Sequence, residues 1–246
     1  VERFICKQNL TDFCITNKEL LTGAIRGFTV EFPGFDGNSC LSGNFTFARL
    51  DNCFARALAE KDILLVYVFT GPWNWMRDAS VKTVDDIIDA VRDKYALPAN
   101  MLPVLTGGSM GGLGALSYAR YGKHPAAACA VSCPVCDLFE AAKFSHFFAA
   151  SVYFAVAHYS GSYEQAVKSL SPLYFARQLP DIPYFVLWCS GDDVIPADKN
   201  AIPMMAALKE VGYRMQTLCI PDAGHCVHTP EALQQMIDFI CEKALF

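Results

Sequence analysis

The chain has 246 residues, 53% of them hydrophobic and 18% charged, with a formal net charge of −5. That composition describes a packed globular chain with a full core and excludes a disordered one. The acidic balance argues against nucleic acid or an anionic membrane as partner. No segment approaches the roughly 20 apolar residues of a membrane span, since the longest candidate, 147–157, is followed by His158.

In chain order, 27–32 reads as a buried strand that empties into the turn Pro33-Gly34-Phe35-Asp36-Gly37. Helical periodicity follows over 51–60, then the run ILLVYVF within a strand over 62–69. Buried parallel strands have such continuous apolar runs. Next comes Gly71-Pro72-Trp73-Asn74-Trp75, where the two indoles either wall a pocket or anchor the loop. A helix over 81–95, a strand over 102–106, a helix over 110–121 and a strand over 126–132 continue the alternation. The last elements are a strand over 184–189, a helix over 199–211, a strand over 214–220 and a helix over 230–245. Alternating strands and helices predict an α/β open, mostly parallel sheet flanked by helices and wound with right-handed crossovers.

One stretch breaks the rhythm. Residues 133–181 are too long for an ordinary crossover and are dense in aromatics, among them Phe139, Phe144, Phe147, Phe148, Tyr153, Phe154, Tyr159 and Tyr163. The segment 133–181 is expected to form a cap of two or three helices over the carboxyl edge of the sheet, inserted after the sixth strand; a second core layer is the alternative. The whole of 1–246 is otherwise expected to be a single domain.

The eleven cysteines are odd in number and scattered, which does not read as a disulfide framework. Cys129, Cys189, Cys219 and Cys241 sit in apolar segments and read as small buried hydrophobes. The pattern suits a reducing compartment, and a cytoplasmic location is expected. The N-terminus has no charged-then-apolar leader but also no Met, which leaves a removed leader open.

The chemistry concentrates in three segments. Gly107-Gly108-Ser109-Met110-Gly111-Gly112 lies between a strand and a helix, the context of a nucleophile elbow. A serine hydroxyl there needs a base within reach and an acid to orient the base. Ser190-Gly191-Asp192-Asp193-Val194-Ile195-Pro196 follows one strand, and Pro221-Asp222-Ala223-Gly224-His225 follows the next. All three candidates therefore sit beyond the carboxyl ends of strands, where open α/β sheets place their sites.

In these motifs the chain resembles the α/β-hydrolase superfamily, nearest in character to small esterases and to the catalytic domains of prolyl-oligopeptidase-like peptidases. The resemblance implies an α/β-hydrolase fold from about residue 27 onward, and a catalytic triad of Ser109, Asp192 and His225. Family members place Pro four residues after the acid, which selects Asp192 over Asp193. The Ala-Gly-His context selects His225 over His228, which is expected to cap or pack beside the last helix. The oxyanion hole is assigned to the N–H groups of Met110 and Phe35, with Pro33 standing where the family often has His.

The implied activity is that of a metal-independent serine hydrolase with no cofactor, cleaving carboxylic esters through an acyl-enzyme. Trp73, Trp75 and Phe147 are the expected substrate-binding residues. The runner-up is an oligopeptidase-like or aminopeptidase-like role, for which Glu140 and Glu164 are the acidic groups at hand. A non-catalytic, ligand-binding protein is the reading from another class. The partner implied is a small ester or a short peptide, with self-association left open. Cys133-Pro134-Val135-Cys136 has redox spacing but no second pair, and reads as the exit of a strand. Asp137 reads as a helix cap, and Cys226 as a packing residue.

Overall fold

The computed structural model describes residues 4–44 and 50–245. Its main element, among the described residues, is a seven-stranded sheet of order β1-β5-β2-β6-β7-β8-β9. The strands are β1 (Cys14–Thr16), β2 (Gly27–Phe32), β5 (Ile63–Val68), β6 (Val104–Gly108), β7 (Ala128–Ser132), β8 (Tyr184–Cys189) and β9 (Met215–Ile220). A short hairpin, β3 (Asn38–Ser39) with β4 (Gly43–Asn44), stands apart from it. Within the seven-stranded sheet, among the described residues, only β1 runs antiparallel to its neighbour and the other pairings are parallel; the hairpin is antiparallel.

The strands form where the apolar runs are longest. Every residue of β2, β5, β6 and β7 is buried, because helices cover both faces. The edge strand β9 is half-buried or exposed along its length until Ile220, which is buried. Cys219 therefore lies exposed, not buried as its apolar surroundings suggest, whereas Cys129, Cys189 and Cys241 are buried. All eleven cysteines carry free thiols.

The flanking helices are α1 (Cys53–Ala59), α2 (Asp78–Tyr95), α3 (Met110–Tyr121), α8 (Ala201–Glu210) and α9 (Pro230–Ala244). Side chains fix their starts. Asn52 accepts from the Ala55 N–H to open α1, and Thr229 accepts from the Ala232 N–H to open α9, with Pro230 in the first turn. Helix α3 lies close against β2 because glycines face it there. A Cβ on Gly111 would overlap the Phe32 carbonyl, and one on Gly107 would overlap the Gly111 backbone.

Residues 133–181 hold four helices, α4 (Leu138–Ala141), α5 (His146–Val156), α6 (Tyr163–Leu170) and α7 (Pro172–Phe175), more than the two or three expected. Short caps account for the extra breaks. Asp137 caps α4, Ser145 caps α5, and Ser162 with Gln165 forms a capping box on α6. In chain order this segment follows the fifth strand of the large sheet, not the sixth, because one strand fewer precedes it among the described residues. No helix among the described residues is long and apolar enough to cross a membrane.

Candidate active site

Ser109 occupies the junction of β6 and α3 with φ 57° and ψ −123°, a backbone conformation unfavourable for a residue with a Cβ. Its neighbours hold it there. The Ser109 N–H donates to the Ser132 carbonyl at 3.0 Å, and the Ser109 carbonyl accepts from Val135 at 3.1 Å and from Gly112 at 3.0 Å. The turn is thus tied to the end of β7 on one side and to its own helix on the other.

Asp192 lies beyond β8 and is buried, while Asp193 beside it is exposed. The Asp192 carboxylate is filled on both oxygens. Oδ1 accepts from the N–H groups of Val194 (3.0 Å) and Ile195 (2.8 Å), and Oδ2 accepts from His225 Nδ1 at 2.7 Å. The side chain of His225, on the loop after β9, is 19% exposed, and with Nδ1 bonded to Asp192 its other ring nitrogen is Nε2. That nitrogen faces the Cys226 thiol at 3.8 Å, and among the described residues no hydrogen bond joins it to Ser109. The structure therefore pairs the predicted acid and base, and sets Ser109 on the same edge of the sheet without closing the last contact.

Of the two expected oxyanion donors, one belongs to the serine turn and the other to the loop after β2. Met110 opens α3, so its N–H has no intrahelical acceptor, and its side chain is buried in the core. Phe35 opens a 3₁₀ turn over Phe35–Gly37 just beyond β2. The loop carrying it is pressed on the serine turn: a Cβ on Gly111 would touch Pro33, and one on Gly34 would lie 3.6 Å from the Gly108 carbonyl.

Glu31, in the strand that leads into this loop, is a functional candidate the apolar run concealed. It is fully buried and accepts hydrogen bonds from the Ser39 and Ser42 hydroxyls, while Tyr67 donates to the Gly37 carbonyl at 3.0 Å. Burial outweighs those serine bonds and raises the Glu31 carboxyl to about 7. The one sequence signal is an acidic residue inside an otherwise apolar strand.

His228 does not cap α9, a role Thr229 fills; its Nε2 shares a 2.7 Å hydrogen bond with Ser132 Oγ. Burial first, and His225 second, hold its imidazole below the ordinary histidine range. Cys133 and Cys136 do not pair with each other: Cys133 Sγ faces Cys189 Sγ at 3.6 Å, and Cys136 Sγ donates to the Pro134 carbonyl. Asn200 Oδ1 accepts from the N–H groups of Cys136 (2.9 Å) and Asp137 (3.0 Å), fixing the strand exit against the Asp192 loop.

The aromatic residues divide by burial. Trp75 is fully buried, donates from Nε1 to Ser151 Oγ at 3.0 Å, and packs on Phe35 and Phe148. It anchors the insertion to the loop. Trp73 and Phe147 are 43% and 53% exposed, with ring centroids 5.3 Å apart, and Phe147 sits edge-on to Phe35 at 5.5 Å. Glu140 and Glu164 are paired with Lys143 and Lys168 on the surface. Two surface hollows of about 770 and 570 Å³ are lined by neither Ser109, Asp192 nor His225.

Among solved structures, the chain is similar to a puromycin hydrolase (18% identity, TM-score 0.66), covering 90% of this chain and 34% of that one. It is similar to the Pyrococcus horikoshii acylaminoacyl peptidase at 13% identity and TM-score 0.71, covering 91% and 38% of the two chains. A truncated carbohydrate esterase from gut microbiota matches at 16% identity and TM-score 0.65, covering 89% and 86%. The chain thus spans about a third of the first two proteins. Comparison with curated proteins finds no match. The profile of the prolyl oligopeptidase family matches residues 73–244, more than half of the sequence. With the parallel sheet and its strand-end loops, this places the chain in the prolyl oligopeptidase family, among serine hydrolases of the α/β-hydrolase fold.

Proposed function

We propose that the chain hydrolyses carboxylic esters through an acyl-enzyme formed on Ser109. The observation that carries the reading is the 2.7 Å Asp192–His225 pair, set on the sheet edge that also holds the positive-φ turn at Ser109. Ser109 Oγ attacks the acyl carbonyl carbon and His225 Nε2 takes its proton. Asp192, bonded to Nδ1, fixes the tautomer and stabilises the imidazolium. The Met110 and Phe35 N–H groups hold the oxyanion. His225 then protonates the leaving alcohol, and water, activated by the same nitrogen, releases the acid. Contacts of this kind are often long without substrate and tighten on binding, which fits the open Ser109–His225 contact.

The insertion 133–181 serves as the cap in this reading, and Trp73, Phe147 and the Phe35 ring offer an apolar wall for the acyl or alcohol group. A thiol nucleophile is not needed. The Cys133 contact lowers the Cys226 thiol pKa, but the Cys40 contact and burial raise it further, so the group stays a neutral thiol.

The second reading is a peptidase, supported by family membership and by the peptidases among the structural neighbours. For an aminopeptidase-like role, the two acidic groups at hand, Glu140 and Glu164, each pair with a lysine on the surface. Turnover of p-nitrophenyl acetate and octanoate, set beside a panel of peptidyl p-nitroanilides, tests the choice. Ester turnover with weak anilide cleavage is expected, and preferred anilide cleavage would reverse the assignment.

A further inference from the structure

We propose that Cys133, Cys226 and His225 form a binding site for a thiophilic divalent cation of the Zn²⁺ type, and that its occupation switches the hydrolase off. The two sulfurs and an imidazole nitrogen all lie within 4.8 Å of one another, and His225 Nε2 is 3.8 Å from Cys226 Sγ. A tetrahedral zinc site with legs of about 2.0–2.3 Å has donor–donor separations of roughly 3.5–3.8 Å. Small side-chain adjustments therefore close the three donors on one ion.

The surroundings match the donor set. Asp192 holds Nδ1 at 2.7 Å and leaves Nε2 as the nitrogen that faces the sulfurs, the carboxylate–histidine arrangement that orients metal-bound imidazoles. Two more thiols border the group: Cys189 Sγ is 3.6 Å from Cys133 Sγ, and Cys40 interacts with Cys226. Both Cys133 (φ 42°) and Cys226 (φ 55°) are held in the left-handed region that a residue with a Cβ disfavours. The ester mechanism uses none of these thiols. Mixed sulfur and nitrogen donors select zinc-like ions over magnesium or calcium.

Binding breaks two S–H bonds, forms two metal–sulfur bonds and one metal–nitrogen bond, and releases two protons to solvent; water fills the fourth position. The lone pair of Nε2 then points at the cation and no longer accepts the Ser109 proton. This inhibitory consequence rests on the triad reading, whereas the binding itself does not.

Titration with Co²⁺ separates the two. Wild type and Ser109→Ala should each bind one ion and develop the thiolate-to-cobalt charge-transfer and strong visible bands of a tetrahedral site. Cys133→Ser/Cys226→Ser should lose the bands, and Asp192→Asn should bind about 10–100-fold more weakly. Zn²⁺ should abolish wild-type ester turnover, reversibly with a chelator, and leave the double variant's turnover intact. Cys226→Ser alone, with its fold checked by circular dichroism, serves if the double variant misfolds, and should bind at least tenfold more weakly. Absence of tetrahedral bands in the wild type would overturn the site, as would bands of equal strength in the cysteine variants. Bands with unchanged wild-type turnover at saturating Zn²⁺ would overturn the switch.

Discussion

Asp192 is the residue whose surroundings leave it least freedom. With two backbone donors on Oδ1 and His225 on Oδ2, its carboxylate is built to accept only. Asparagine would fit the same space, yet its amide would meet a donor with a donor and favour the wrong imidazole tautomer. Asp192→Asn is therefore expected to lower kcat about 10⁴-fold while the unfolding midpoint stays near wild type; a loss under tenfold would remove Asp192 from the mechanism. Glu31 makes a prediction about pH. Its carboxyl titrates near 7 in the fold against an ordinary value of 4.5, so between these the folded state binds the extra proton. Stability should fall as pH rises through that window, by at most about 3 kcal/mol, and then level off. Glu31→Gln should flatten the slope in urea unfolding from pH 4.5 to 8, and a slope equal to wild type would contradict the assignment. The sequence exposed Ser109, Asp192 and His225 because each sits in a local motif. It concealed Glu31, the Ser132–His228 bond and the thiol cluster, since those depend on which loops meet across the sheet.

At the scale of elements, the strands 27–32 and 184–189 and the helix 110–121 fall where the apolar runs and glycine turns predict. Elsewhere, ends move. Helix α2 begins three residues early, at Asp78, whose acidic side chain suits the first turn of a helix. Strand β1 escapes detection because three residues, Cys14–Thr16, are too few to show a period. The insertion was legible as a helical, aromatic segment, but its internal breaks depend on single capping side chains. Its docking gives a paired test. Trp75→Ala removes a fully buried ring and its bond to Ser151, and should cost about 3–5 kcal/mol in denaturant unfolding. Phe147→Ala, at a half-exposed position, should change stability by less than about 1 kcal/mol. It should instead raise KM for the octanoate ester more than for the acetate. Equal effects on the two esters would take Phe147 out of the acyl wall.

Across the whole molecule, the fold was readable because every parallel strand ends in the same direction and each motif follows a strand. The order β1-β5-β2-β6-β7-β8-β9 then brings the loops after β2, β6, β8 and β9 to one edge without any long-range signal in the sequence. What stayed hidden is burial at the margins: β9 reads like a core strand, yet as an edge it exposes Cys219. Substrate identity is not written in the fold either, because one hydrolase scaffold serves peptidases and esterases alike. The central claim is that Ser109 is an activated nucleophile. Labelling of wild type and Ser109→Ala with a fluorophosphonate probe tests it most directly. The account predicts one label per wild-type chain, located on Ser109, and none on the variant. Equal labelling of both proteins, or a labelled peptide that lacks Ser109, would contradict it.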